Sequence, residues 1–413
     1  LEALVEQIRE DVVMSSDDAV VNAALNTLEA VYGAVSPAAP TDTSDASTPL
    51  DYVLKDAVFR LTAESIENPD QVGRILRAAA CSSAYNCAVV SDAVVTVIVE
   101  RLNATDVLTT RRELMDVLNH VLSASCEAGR RAEGLDADRD SLLNVYQPDT
   151  SVPLDKEYSF LHITRLKGIA LLVMLPDFLD AGAATVALQT VARAAIERNE
   201  DDNVNKQATH LLVQLSQSQP AQVEAAVLPM FFGALCEDAV AAHQVARLLN
   251  ALGAIGVASP KALLAVLAGL TAAVTSGGLA PAHHAAAATT IRKMVGAGAA
   301  LGSAADLCPR LAATAVDPLA DWAHGASQRG APVADDVVLE IARAIAAAYS
   351  GLDVEAQERH LERLFGRYAE TAQAPASGAD GRLLPLFSAA VCACRPQARL
   401  PVADPAQLLG ALA

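Results

Sequence analysis

Apolar residues recur along this chain at the spacing i, i+3, i+4, i+7, block after block. That period restricts it to helices with one buried face and one wet face. Val72, Ile75, Leu76 and Ala79 make one stripe, Val94, Val97, Ile98 and Leu102 the next, and Leu114, Val117, Leu118 and Val121 a third. The blocks run for about 12–18 residues between short breaks. No segment shows the period-two alternation of a strand between hairpin turns. Aromatic residues are only 4% of the chain, with a single tryptophan at 322, and alanine carries much of the 52% hydrophobic content. Alanine is the best helix former, whereas sheets favour aromatic and β-branched residues.

The clearest unit runs from about Asp201 to Leu235. Asp201, Asp202 and Asn203 offer helix-capping side chains, and the stripe Val204, Ala208, Leu211, Leu212, Leu215 follows. Pro220 breaks the chain, and a second helix runs through Val223, Val227, Leu228, Phe231, Phe232 and Leu235, with Pro229 expected to bend it. Ala239–Val257 and Pro260–Val274 read as the next pair, with Ser259-Pro260 at the turn. Pro281–Val295, Val338–Tyr349 and Val354–Tyr368 read as later helices. A lone pair of this size cannot bury its apolar face, so such pairs stack on one another. The period, about 35–45 residues, predicts an all-α fold, a HEAT/armadillo-type α-solenoid built as a superhelical array of antiparallel helix pairs.

Domain organisation follows from the interruptions. Repeats are expected over 1–126, broken by a disordered loop at 36–49 (SPAAPTDTSDASTP) that lacks any apolar stripe. A charged loop is expected at 127–155, with Leu142, Leu143, Val145 and Tyr146 anchoring a short helix. A C-terminal array then fills 156–413, with a small Ala/Ser/Gly link at Ala372–Gly381. The chain opens at Leu1 without an initiator Met, which reads as a fragment of something longer.

Charge and cysteine usage narrow the function classes. The net charge is −19, from 49 acidic and 30 basic residues, so phosphate backbones repel the chain and basic protein partners suit it. The seven cysteines, at 81, 87, 126, 236, 308, 392 and 394, follow no disulfide framework. The most apolar stretch, Leu248–Val274, is cut by glycines, Pro260 and Lys261, so no membrane span is expected.

No catalytic motif is present: there is no G-x-S-x-G, no phosphate-binding loop and no H-E-x-x-H. His283 and His284 are adjacent, and consecutive helical residues point about 100° apart, so one metal ion rarely meets both. An exposed first turn is the expectation there. Cys392 and Cys394 would face different sides of a helix, as buried or half-buried thiols, and Cys81 and Cys87 read as core thiols at a turn. Arg111-Arg112-Glu113 and the set Arg359, Glu362, Arg363 and Arg367 read as solvated helix faces. No catalytic, cofactor-binding or metal residues, and no cofactor, are therefore assigned.

Residues 70–124 carry a more specific likeness. DQVGRILRAAACSSAYNCAVVSDAVVTVIVERL followed by TTRRELMDVLNHVLSAS resembles the HEAT-repeat targeting subunit of cytosolic iron–sulfur cluster assembly, the methyl-methanesulfonate-sensitivity DNA repair/transcription protein family. Ile75 to Ala79, Ser82-Ser83, Val94 to Leu102 and Arg112 to Leu118 hold the family's phrase. ALNTLEAVYGAV and LDYVLKDAVFRL look like its middle region, and ATHLLVQLSQSQP, VLPMFFGAL and LLNALGAIGVASPKALLAVLAGL like its C-terminal repeats. The resemblance implies a non-catalytic adaptor, cytoplasmic and nuclear. It would dock the cluster-loading complex through C-terminal repeats and bind client apoproteins such as DNA helicases, polymerases and primase. The alternatives are a nuclear transport receptor or other HEAT scaffold, and a helical enzyme with polar residues converging in a closed cavity.

Overall fold

The computed structural model describes residues 2–35, 48–63, 66–129, 134–147, 158–197, 202–237, 240–301, 304–331, 333–372 and 383–399, and among these every regular element is helical. No described helix is long and apolar enough to cross a membrane. The chain divides into two compact units, Leu1–Leu211 and Leu212–Ala413. That boundary falls inside a helix and differs from the division at 127–155 read from the sequence.

In the first unit the helices are α1 (Glu2–Met14), α2 (Asp18–Val35), α3 (Pro49–Thr62), α4 (Pro69–Cys81), α5 (Ala84–Ala104) and α6 (Leu108–Glu127). They are followed by α7 (Gly134–Ala137), α8 (Arg139–Tyr146), α9 (Ser159–Met174), α10 (Ala181–Ile196) and the start of α11 (Asp202–Ser218). Helices α2, α4, α6 and α9 pack side by side as one layer, and α3, α5 and the α7–α8 pair form a second. Within each layer successive helices pack side by side, the HEAT/armadillo-type solenoid arrangement.

The stripes behave as their period requires. Val72, Ile75, Leu76 and Ala79 are buried, as are Val94, Ile98, Leu102, Leu114, Val117, Leu118 and Val121. Val97 is only half-buried, and Val95 and Val99 take its share of the core. Gly73 lets α4 and α6 come close, because a Cβ there would overlap the His120 ring.

Local chemistry sets the helix ends. The tract 36–49 does not all lie in a loop. Thr48 Oγ1 accepts from Asp51 N at 3.3 Å, the Asp51 carboxylate accepts from Thr48 N at 2.7 Å, and Pro49 stands in the first turn of α3. This reciprocal capping satisfies two helix-end donors; residues 36–47 lie outside the described residues. The stretch 127–155 likewise holds helix, α7 and α8, where a charged loop was expected to carry one short helix. Tyr146 fixes α8: its hydroxyl donates to Asn119 Oδ1 at 2.7 Å, and Asn119 Nδ2 donates to the Thr164 carbonyl at 2.9 Å. The rest of that stretch, 130–133 and 148–155, lies outside the described residues. Asn205 closes α10, with Nδ2 2.7 Å from Ala194 O and 2.9 Å from Glu197 O.

The second unit continues α11 and adds α12 (Pro220–Ala226), α13 (Leu228–Leu235), α14 (Ala242–Val257), α15 (Pro260–Thr275), α16 (His284–Ala300) and α17 (Ala304–Leu311). After these come α18 (Asp317–Gln328), α19 (Asp335–Ser350), α20 (Val354–Ala372) and α21 (Leu384–Ala393). Helices α14, α16, α19 and α21 form one layer, and the α12–α13 pair, α15, α17–α18 and α20 the other. The bent helix expected at Pro229 is in fact two helices. Pro229 has no amide proton to continue the ladder, so the chain breaks at Val227 and restarts with the proline in the first turn of α13. Ser259 caps α15 by accepting from Ala262 N at 3.2 Å, with Pro260 following as read from the sequence. A Cβ on Gly269 would overlap the Phe232 ring, which brings α13 close against α15.

Helices α17 and α18 are absent from the sequence reading. They are joined by a π turn, Ala312–Val316, with Pro309 before it and Pro318 just after it. Both prolines withhold an amide donor, and the ladder widens between them.

Candidate protein-binding groove

Among the described residues no three His, Cys, Asp or Glu side chains are grouped to hold a metal ion. His283 and His284 are half-buried rather than an exposed turn. His284 Nε2 lies 3.0 Å from Leu279 O, and its ring packs edge-on to Trp322 with centroids 5.3 Å apart, so the indole covers it. Cys394 is half-buried as expected, but Cys392 is exposed, because α21 buries the face made by Leu386, Phe387 and Ala390 instead. Cys87 is a core thiol, 3.5 Å from Ser125 Oγ. Cys81 is half-buried at the end of α4, where burial and the neighbouring Glu127 carboxylate push its thiol up to about 12. It stays protonated near neutral pH and is a poor nucleophile.

The arginine clusters are not simply solvated faces. Arg111 Nη1 donates to Leu102 O at 2.6 Å and Thr105 O at 3.0 Å, closing the end of α5. Arg363 Nη1 donates to Asp317 Oδ2 at 2.9 Å, and Nη2 reaches Asp321. Asp317 is buried and also receives the Tyr349 hydroxyl at 2.9 Å on Oδ1, with His360 Nδ1 3.1 Å from Oδ2. Burial and the Asp317 charge together push the Tyr349 phenol far above its ordinary value. A Tyr-Asp-His set can serve proton transfer, but here both carboxylate oxygens are engaged by protein groups. The network ties α18 to α19 and α20. Arg359 and Glu362 do lie exposed on α20, as read.

In the first unit two adjoining cavities, of about 390 and 410 Å³, open between α1 and α3, with α4 also lining the first. Val53 and Ala57 of α3 with Val72, Ile75 and Leu76 of α4 make an apolar floor in the first. Ala3, Val5, Pro49 and Tyr52 line the second. Arg9 of α1 reaches Asp56 of α3, and this ion pair lines both cavities. Glu6 pairs with Arg9 at 2.9 Å, and Arg60 Nε with Asp56 at 2.9 Å. Asn68, in the left-handed region at φ 51°, turns the chain into α4 at one end of the first cavity.

Met14 lines the first cavity and Tyr52 the second, and both are exposed, as is Phe59 elsewhere on α3. Met14 is 83% exposed, Phe59 75% and Tyr52 44%. Sequence reasoning passed over all three. The available signal was phase: α3 buries Leu50, Val53, Leu54, Ala57 and Leu61, and Tyr52 and Phe59 fall seven residues apart off that stripe. Apolar surface left out of the core is what protein partners cover.

No protein-family model matches the chain, and no curated protein sequence matches it. Among solved structures, an engineered protein is similar at 16% identity and a TM-score of 0.28, over 94% of this chain and 98% of that one. Kap121p is similar at 12% identity and a TM-score of 0.37, over 95% of this chain. Kap121p bound to Pho4p gives 12% identity and 0.37 over 94%. In both comparisons this chain spans 46% of the Kap121p chain.

Proposed function

We propose that this chain is a non-catalytic protein-binding scaffold. The observation that carries the reading is the groove between α1 and α3, an apolar floor beside exposed Met14 and Tyr52. A surface of that kind suits protein contact, and the polar clusters elsewhere are engaged in holding helices together.

Within that class the finer reading is an adaptor that joins the cytosolic iron–sulfur cluster-loading complex to apoprotein clients, working in cytoplasm and nucleus. The sequence phrase over 70–124 supports it, and its place in the fold is intelligible: Ser82-Ser83 form the tight turn between α4 and α5, with Ser83 Oγ accepting from Asn86 N at 3.1 Å. Affinity purification of the intact chain from cell extract, read by mass spectrometry, tests both levels. Recovery of cluster-loading proteins and iron–sulfur enzymes is the expected result. A small nuclear GTPase with import cargo would replace the adaptor reading by a transport receptor, and no specific protein at all would sink the scaffold.

A further inference from the structure

We propose that the groove between α1 and α3 takes a short extended peptide of a partner protein, with two apolar side chains two residues apart and lysine or arginine beside them. The proposal rests on the scaffold reading above and names what one surface of it binds.

Spacing comes first. On α1 one cavity is lined from Ala3 to Arg9 and the other from Glu6 to Met14; on α3 the corresponding spans are Pro49 to Asp56 and Val53 to Arg60. Both helices thus pass from one cavity to the next in the same direction, over four to five residues. At 1.5 Å rise per residue, the cavities are about 7 Å apart. An extended chain returns a side chain to the same face every two residues, about 6.6–6.8 Å. Adjacent same-face side chains on a helix are closer, about 5–6 Å, so the extended form fits better. Each cavity lies within the roughly 300–1,000 Å³ of small-ligand sites, enough for one large side chain and adjoining backbone.

Charge decides the flanking residues. Both arginines at the groove are engaged, Arg9 by Glu6 and Asp56 and Arg60 by Asp56. Glu10 is exposed at the rim and makes no ion pair with a described residue. With the whole chain at −19, the field at this rim favours a basic partner. The segment of this chain nearest in sequence, 36–47, carries Asp42 and Asp45 and no Lys or Arg, so the same field disfavours it as occupant. Arg9 supplies one further feature: its Nε–H is buried without an acceptor among the described residues, between the two cavities. A peptide carbonyl crossing from one cavity to the other is the group that would satisfy it.

The test is a fluorescence-anisotropy titration of the intact chain with a labelled Gly-Lys-Leu-Lys-Leu-Lys-Gly peptide. Saturable binding is expected, weakened at least about tenfold when both leucines become serine or are moved three residues apart in a peptide of equal composition. Glu10→Lys should weaken it similarly without lowering the melting temperature, and a peptide with glutamate in place of lysine should not bind, which tests the charge independently of any variant. Equal affinity for the serine, respaced or glutamate peptides would overturn the proposal, as would no binding by the wild type. If the peptide fails while affinity purification still recovers partner proteins, the groove assignment falls and the scaffold reading stands. Loss of every partner in that purification removes the scaffold reading itself.

Discussion

The ring of Tyr146 fills the space that a side chain on Gly168 would occupy, so α8 rests directly on the backbone of α9. Replacing Gly168 with alanine sets two effects against each other. Helix propensity gains about 0.8–1.0 kcal/mol, while overpacking costs about 1–3 kcal/mol. The ring cannot yield easily, because its hydroxyl is held by Asn119, so overpacking wins. Gly168→Ala should lower the urea midpoint. Gly296→Ala, where a Cβ meets nothing, should raise it by the propensity gain alone.

Tyr146→Phe removes the donor to Asn119 Oδ1 and keeps the ring. The amide oxygen is buried, so the loss should be about 1–3 kcal/mol, the cost of an unsatisfied buried acceptor. Chemical denaturation measures it directly. A cost near zero would mean that Asn119 finds another donor.

Asp317→Ala should be among the most damaging single changes in the second unit. It leaves Tyr349, His360 and Arg363 facing an apolar gap. Breaking a buried pair from one side costs about 3–5 kcal/mol. The Arg363 side chain is 44% exposed and can turn to water, which places the expectation near the lower end. Asp317→Asn keeps an acceptor for Tyr349 and should cost less, as thermal and urea unfolding of the two variants would show.

Glu340 gives a pH signature. Burial disfavours its charge, but hydrogen bonds from Arg292 and Arg343 outweigh that and hold the carboxyl below its usual value. A depressed folded-state pKa adds stability that is complete above the unfolded value, about 4.3, and fades as pH falls below it through the folded value. Between pH 6 and pH 3, wild-type stability should therefore fall more steeply than that of Glu340→Gln. Parallel curves would remove Glu340 from the acid response.

Much of the helical frame was legible from the sequence, because stripes such as Leu114, Val117, Leu118 and Val121 state their own burial through period alone. Short-range chemistry also read well where it is local, as at Ser259-Pro260. What failed was either a break or a meeting. Pro229 was read as a bend because sequence does not say whether a helix absorbs a missing donor or restarts. Helices α17 and α18 were missed because Pro309 and Pro318 interrupt the window in which a period can be recognised. The groove was invisible for another reason: Arg9 and Asp56 stand 47 residues apart, and no motif links them. Asp317 and Arg363, 46 apart, escaped in the same way, so the arginine looked like one more solvated charge.

The π turn at Ala312–Val316 has a consequence of its own for Asp317. Such a turn holds one residue more than the helix needs, and each helical residue carries the chain about 100° around its axis. The wide turn absorbs that surplus, because its residues each turn the chain through less than the α-helical angle, so α18 begins near the heading an uninterrupted helix would give it. Deleting Ala313 would let the ladder close as ordinary α-helix and leave Asp317 near Tyr349 and Arg363. Residue count is therefore buffered in this stretch: a one-residue deletion can be tolerated there, whereas in an ordinary α-helical stretch it would turn every following side chain by about 100°.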